Sequence, residues 1–448
     1  MQPRAYALGQ TTFYVAAALF LAAICLGGGS SRGDVFSLIF VQVSAIGLLA
    51  AILLSIRLSD LNRLAVPLAF LSALAGVMIV QLVPLPPDLW LSLAGRSFYA
   101  EAAAAAAAAQ PWRPISLAPD RTVESVLSLL PILAAVLALG LGSPSVRRAA
   151  AVALLWIIVF SALLAVLQQS GGPNSDLRFY RFTNRDAGVG LLANRNHQAL
   201  LMAMGIPVAA WWALQPGRFF SSPPIRPAIG AGLILVCLLG ALLTGSRTGM
   251  VVASIGLLSS IPLAWPVVGR LPRIVRASVA LFFVCGLLAI VLLLPSVRLT
   301  SDVILADPRA RFWPTVLDMI GTFMPIGAGF GTFDLVFPRF EDLSRLTPQY
   351  LNRAHNDFLE IGAEAGLAAY VLLLIYVSWW VVSSLRVWRA PLGKVRGLSL
   401  GRLGSILIGL CLFASLTDYP LRTPLLGAIF AAVSILLFAS EREIRESR

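Results

Sequence analysis

The sequence predicts an all-α integral membrane protein with about 12 transmembrane helices. Three observations carry this. Of 448 residues, 58% are apolar and only 12% charged, with a mean hydropathy of +0.85, whereas a soluble domain averages about 45–50% apolar and about 25% charged residues. The apolar residues fall in repeated runs of roughly 20, the length at which a helix crosses a hydrocarbon core. Those runs are continuous rather than alternating with a period of two, the pattern of a membrane β-barrel.

The spans, in order, are 11–29, 35–56, 64–83, 122–142, 149–167, 198–214, 228–245, 249–266, 277–295, 361–384, 403–417 and 424–440. The first reads as a retained helix, because no A-x-A-like cleavage site follows it. The chain is expected to be a single polytopic domain, 1–448, with three long loops at 84–121, 168–197 and 296–360. If both termini lie inside, the inner segments hold 18 basic residues. The short outer loops hold 3: Arg32, Arg247 and Arg422. The positive-inside rule discounts long loops, so all three long loops face outward, with the terminal segments cytoplasmic. Of the 21 acidic residues, 17 fall on the outer side, which makes the outer loops nearly neutral and the inner ones basic lipid clamps.

Composition also excludes. The net charge of +13 is scattered over loops without a basic stripe, so membrane topology explains it better than nucleic acid does. Cys25, Cys237, Cys285 and Cys411 lie far apart inside apolar runs, and neither a disulfide framework nor a CxxC metal site follows. No D-x-D, H-E-x-x-H or G-x-S-x-G motif occurs. No ionisable residue sits near the middle of a span, where an ion-coupled transporter would place one. Polarity is concentrated at the outer face, and so is the expected chemistry. The alanine run 101–110 reads as a short interfacial helix and spacer.

Four polar segments stand out there. In "NRAHNDFLE", Asp357 and Glu360 form a D-x-x-E pattern before an apolar run, so a helix is expected to start near Asn356 or Asp357. His355 then sits at the positive end of that helix, which favours the neutral imidazole a general base needs. A histidine in a capping turn fits the segment equally well. In "LTGSRTG", Arg247 occupies a turn between two spans and reads either as an anchor at the bilayer rim or as part of an anion site. In "DPRARFW", Arg309 and Arg311 precede an amphipathic stretch and the glycine-rich "GAGFGTF", whose glycines suit a tight turn or close backbone approach. In "LANRNH", Asn194 and Asn196 suit either helix capping or sugar hydroxyls, and His197 reads as structural.

Taken together, "LTGSRTG", "RARFWPTVLDMI…PIGAGFGTF" and "RAHNDFLEIGAEAGLAAYVLL" resemble the O-antigen ligase and O-antigen polymerase superfamily, over roughly residues 190–385. The resemblance implies a GT-C-type membrane glycosyltransferase with a large, partly helical periplasmic loop. It implies transfer of a glycan from undecaprenyl pyrophosphate to an acceptor sugar, with no metal and no cofactor. Lipid A-core, or a second lipid-linked glycan, would be the acceptor, and membrane lipids the surroundings. On that resemblance His355 is the base, and Arg247 with Arg311 (or Arg309) holds the pyrophosphate. Arg353, Asn194, Asn196, Asn356 and Asp357 join the substrate-binding set. Ligase and polymerase remain open as alternatives, with a lipid-linked glycan flippase as a third reading that the uncharged spans disfavour.

Overall fold

A computed structural model of the chain describes residues 2–215, 225–268, 277, 308–342, 351–391 and 397–447. The expected span 277–295, and parts of the 296–360 loop, lie outside these residues. Helices dominate, and the only strands among the described residues are the two-residue β1 (Pro84–Leu85) and β2 (Arg113–Pro114), paired antiparallel.

The first half contains α1 (Gln2–Gly27), α2 (Ser37–Leu53), α3 (Ala65–Val80), α4 (Pro87–Leu91), α5 (Ser97–Ala105), α6 (Pro119–Leu127), α7 (Leu129–Gly140), α8 (Pro144–Ser170) and α9 (Arg195–Ala213). The second contains α10 (Ile225–Leu243), α11 (Arg247–Val268), α12 (Pro308–Phe323), α13 (Phe333–Val336), α14 (Asp357–Arg389), α15 (Leu398–Ala414) and α16 (Pro424–Glu446). Seven described segments are long and apolar enough to cross a membrane, and three shorter helices are apolar as well. This is an all-α, multi-pass membrane protein. The alanine run departs from expectation: α5 stops at Ala105, and Ala107 takes a left-handed φ of 51°.

α9 is the most enclosed helix. It is buried from His197 to Trp211 because α8, α10, α11 and α15 surround it. A second apolar cluster joins α12 (Val316, Met319, Phe323) to α13 and to Ala354 and Ala363 of the α14 region.

The loops segregate to two ends, as alternating spans require. At one end Arg442 donates to the Arg63 carbonyl at 3.0 Å and Arg147 pairs with Glu443 at 3.3 Å. At the other, Ala193 N–H reaches the Gly29 carbonyl at 2.9 Å and Leu117 N–H the Ala328 carbonyl at 2.9 Å. The "GAGFGTF" glycines serve this second end. Gly327, Gly329 and Gly331 all have φ between 75° and 116°, and a Cβ on Gly327 would lie 2.4 Å from the Glu364 carbonyl oxygen. Ala328 and Gly329 donate to the carbonyls of Ala363 and Glu364 at 2.9 and 2.8 Å, where α14 departs from helical geometry at Gly366. Arg96, buried, locks the arrangement by donating to the carbonyls of Ala94, Ile115 and Gly327. Burial pushes its guanidinium down to about 10.

Candidate active site

The N-terminus of α14 is built around Asn356, whose side-chain oxygen accepts the N–H groups of Phe358 and Leu359 at 3.0 and 3.1 Å. The D-x-x-E pair does not form the expected box. Asp357 accepts instead from Ser415 Oγ at 2.8 Å, and Glu360 accepts the Ala354 N–H at 2.9 Å. His355 immediately precedes the cap with φ = +50°, a conformation uncommon for a side-chain-bearing residue and held only where surroundings impose it.

What imposes it is the turn between α15 and α16. His355 Nδ1 lies 3.1 Å from Asp418 Oδ1. A carboxylate only accepts, so Nδ1 carries a proton, and Nε2 is the nitrogen left to exchange one with a substrate. Asp418 is itself buried and receives Asn196 Nδ2 at 2.5 Å, Asn194 Nδ2 at 3.3 Å and the Tyr419 N–H at 3.0 Å. The Tyr419 ring stands edge-on to His355, with centroids 5.0 Å apart, and equally close to His197 on its other side. Burial, then the neighbouring Asp418 charge, pushes the Tyr419 phenol upward, so it remains a donor.

Asn196 also reaches the turn that carries Arg247. Asn196 Oδ1 accepts from Ser246 Oγ at 2.7 Å, and Ser246 Oγ in turn accepts the Gly249 N–H in the first turn of α11. Gly245, at φ = +63°, makes the tight turn possible. His355, Asp418, Asn196 and Ser246 thus form one hydrogen-bonded chain ending beside Arg247, which is exposed at the positive end of α11. Arg311 is also exposed, on the first turn of α12. Its link to His355 is by packing: Phe312 stacks edge-on against Phe337, within the cluster that includes Ala354. The Arg309 side chain lies outside the described residues.

Behind the histidine is a buried charge cluster. Arg422 pairs with Glu364 at 2.6 Å, Glu360 at 3.5 Å and Asp357 at 3.8 Å, while Arg353 pairs with Glu360 at 2.9 Å. Burial alone would push Arg422 down, but the carboxylates of Glu364, Glu360 and Asp357 more than offset it and hold the guanidinium charged. Arg353 also donates to the Ser31 carbonyl at 2.9 Å, and Asn356 Nδ2 to the Leu416 carbonyl at 2.9 Å. The polar atoms of Arg353, Asn356 and Asp357 are therefore engaged in positioning the site, whereas Arg247 and Arg311 face outward. Sequence reasoning missed Asp418, Tyr419 and Arg422. Their signal was "TDYPLR", two opposite charges in a turn of a few residues between apolar runs, where Arg422 served only as a topology marker.

A cavity of about 1100 Å³ adjoins the 352–357 segment at Asn352, Arg353 and Asp357. Arg353, Arg422 and Asp357 line it, together with apolar faces of α2, α3, α7, α14 and α16. Among the described residues, no group of three or more His, Cys, Asp or Glu side chains is placed to hold a metal ion.

Residues 232–374 match the family model described as O-antigen ligase. The match supports the O-antigen ligase and polymerase superfamily for this chain. It begins within α10 and ends within α14, so Arg247, Arg309, Arg311, Arg353 and His355 fall inside it. Asn194, Asn196, Asp418 and Arg422 fall outside, and structure alone attaches them to the family segment. No curated protein matches the chain at a significant level. The O-antigen ligase family implies a glycosyltransferase-like enzyme with lipid-linked glycan substrates.

Proposed function

We propose that the protein is a metal-independent, inverting membrane glycosyltransferase of the O-antigen ligase type. It moves a glycan from undecaprenyl pyrophosphate to a sugar hydroxyl of a lipid-anchored acceptor. The observation that supports this reading is the hydrogen-bonded chain from His355 through Asp418 and Asn196 to Ser246, which ties a carboxylate-partnered imidazole to the turn that carries the exposed Arg247.

The chemistry follows from those groups. The acceptor hydroxyl oxygen attacks the anomeric carbon and gives its proton to His355 Nε2, while Asp418 steadies the imidazolium that forms. The new glycosidic C–O bond forms as the bond from anomeric carbon to pyrophosphate breaks, and the electron pair leaves with the undecaprenyl pyrophosphate. Arg247 and Arg311, with the N–H groups at the start of α11, meet the charge growing on the leaving oxygen. A single displacement inverts the anomeric centre. The reading places twelve spans in a GT-C-type arrangement in the bacterial inner membrane. Both terminal segments are cytoplasmic, and the loops 84–121, 168–197 and 296–360 are periplasmic.

The test is reconstitution of the full chain in vesicles with an undecaprenyl-pyrophosphate-linked oligosaccharide, offering lipid A-core or a second lipid-linked glycan as acceptor. Transfer to either, unchanged by EDTA, is expected. Absence of transfer to both, or loss with EDTA, contradicts the reading.

A further inference from the structure

The sequence offers Asn196 to helix capping or to sugar hydroxyls, but in the structure protein groups engage both polar ends of its side chain. Nδ2 donates to Asp418 Oδ2 at 2.5 Å, closer than His355 or the Tyr419 N–H approaches that carboxylate. Oδ1 accepts from Ser246 Oγ at 2.7 Å. A cavity of about 10 Å³, the room of one water, lies where Asn196 meets Thr248, Gly249 and Asp418. No sugar ring fits between them.

The backbone of Arg247 is held from both sides. Ser246 before it is buried and bonds to Asn196. Thr248 after it accepts from Thr417 Oγ1 at 3.2 Å, and Thr417 is the neighbour of Asp418 in the turn between α15 and α16. The first turn of α11 also has no slack against α9, because a Cβ on Gly249 would lie 2.2 Å from Ala199 Cβ. Two separate ties therefore join the turn that carries Arg247 to the turn whose carboxylate orients His355, while the Arg247 side chain itself stays exposed.

The proposed displacement makes that separation matter. Attack and departure occur on opposite sides of the anomeric carbon, so base and cation must stand a fixed distance apart, as the two carboxyl groups of a glycosidase do. A misplacement of about 1 Å costs on the order of 10²-fold in rate.

We infer that Asn196, with Ser246 and Thr248, is a positioning residue that sets the separation of Arg247 and His355, and is not a sugar ligand. The inference rests on the proposed transfer reaction and adds to it the residues that hold its two working groups in place.

The experiment measures the single-turnover rate at saturating substrates, and the acceptor KM, in vesicles. The donor is an undecaprenyl-pyrophosphate-linked oligosaccharide, and the acceptor is whichever of lipid A-core and a second lipid-linked glycan wild type uses. Ser246→Ala, Thr248→Val and Asn196→Ala are each made in wild type and in Arg247→Ala. In wild type each should lower the rate about 10- to 100-fold and leave the acceptor KM unchanged. In Arg247→Ala, Ser246→Ala and Thr248→Val should cost less than about twofold further, because no cation is left to place. Asn196→Ala should keep part of its cost there, through Asp418. Equal losses with and without Arg247 would assign the turn to folding alone and overturn the inference. A raised acceptor KM in Asn196→Ala, at an unchanged rate, would make Asn196 a sugar ligand and overturn it equally. Thermal unfolding in detergent verifies folding, and Thr248→Val, which keeps its shape at a half-buried site, carries the test should Asn196→Ala not fold. Failure of wild type to transfer at all contradicts the proposed reaction, an outcome distinct from any pattern among the variants.

Discussion

At His355 a single oxygen decides which nitrogen can work. Asp418 Oδ1 fixes the proton on Nδ1, so replacing that carboxylate by an amide of the same shape should disable the base without removing bulk. In Asp418→Asn, the amide NH2 either faces the Asn196 Nδ2 donor or faces His355 Nδ1, which then accepts and shifts its proton to Nε2, the nitrogen needed as base. Transfer is expected to fall by about 10²–10⁴, the contribution typical of a positioned general base. Unfolding should shift only by the roughly 1–3 kcal/mol of one unsatisfied buried bond. A variant transferring at the wild-type rate contradicts the orienting role. Arg422 answers to stability instead. Arg422→Met leaves Asp357, Glu360 and Glu364 with Arg353 alone, and breaking a buried pair this way costs about 3–5 kcal/mol. Thermal unfolding in detergent should show that loss, and Glu364→Gln in the same chain should recover part of it. The placement of His355 before a helix and of Arg247 in a tight turn was legible in sequence, because a rare residue type stood at a helix entrance and a charge stood between two glycines. Asp418 was not, since its partner lies 63 positions away and only folding brings the two together.

Among the elements, α14 and the glycine-rich loop depend on each other. The loop's carbonyl and N–H groups lie against the stretch where α14 loses its regular geometry, which leaves no room for a side chain at Gly327. Gly327→Ala, at φ = +87° and against the Glu364 backbone, should destabilise by more than about 1 kcal/mol. Gly76→Ala, with open space around a helical position of α3, should instead stabilise slightly, by up to about 1 kcal/mol. Detergent melts of the two variants check both signs. Hydropathy revealed helices wherever an apolar run met a described segment, because burial in lipid requires each backbone group to be satisfied within its own helix. The start of α14 at Asp357 was also legible, but the side chains that cap it were not. Asp357 and Glu360 look like a capping pair in sequence, but the tertiary partners Ser415 and Ala354 take their carboxylates, leaving the cap to Asn356.

For the whole molecule, the segregation of loops to two ends follows from alternating spans, and the proposed sidedness of those ends rests on the charge bias of the sequence. A cysteine at exposed Trp112 should react with an impermeant maleimide on intact spheroplasts, and one at exposed Glu446 only after lysis. The reverse pattern would place His355 toward the cytosol and remove the periplasmic account. The helical, multi-pass character was readable from sequence because it depends on the length and apolar content of the runs alone. The 1100 Å³ cavity was not, because it lies between helices distant in sequence whose apolar faces look like any other lipid-facing surface.

The most direct measurement is the single-turnover rate of glycan transfer by purified protein in vesicles, for wild type, His355→Ala and Arg247→Ala. Loss of the base should lower the rate by about 10²–10⁴, and loss of the guanidinium by about 10²–10³, with both proteins inserted and folded. Transfer by His355→Ala near the wild-type rate would contradict the account at its centre.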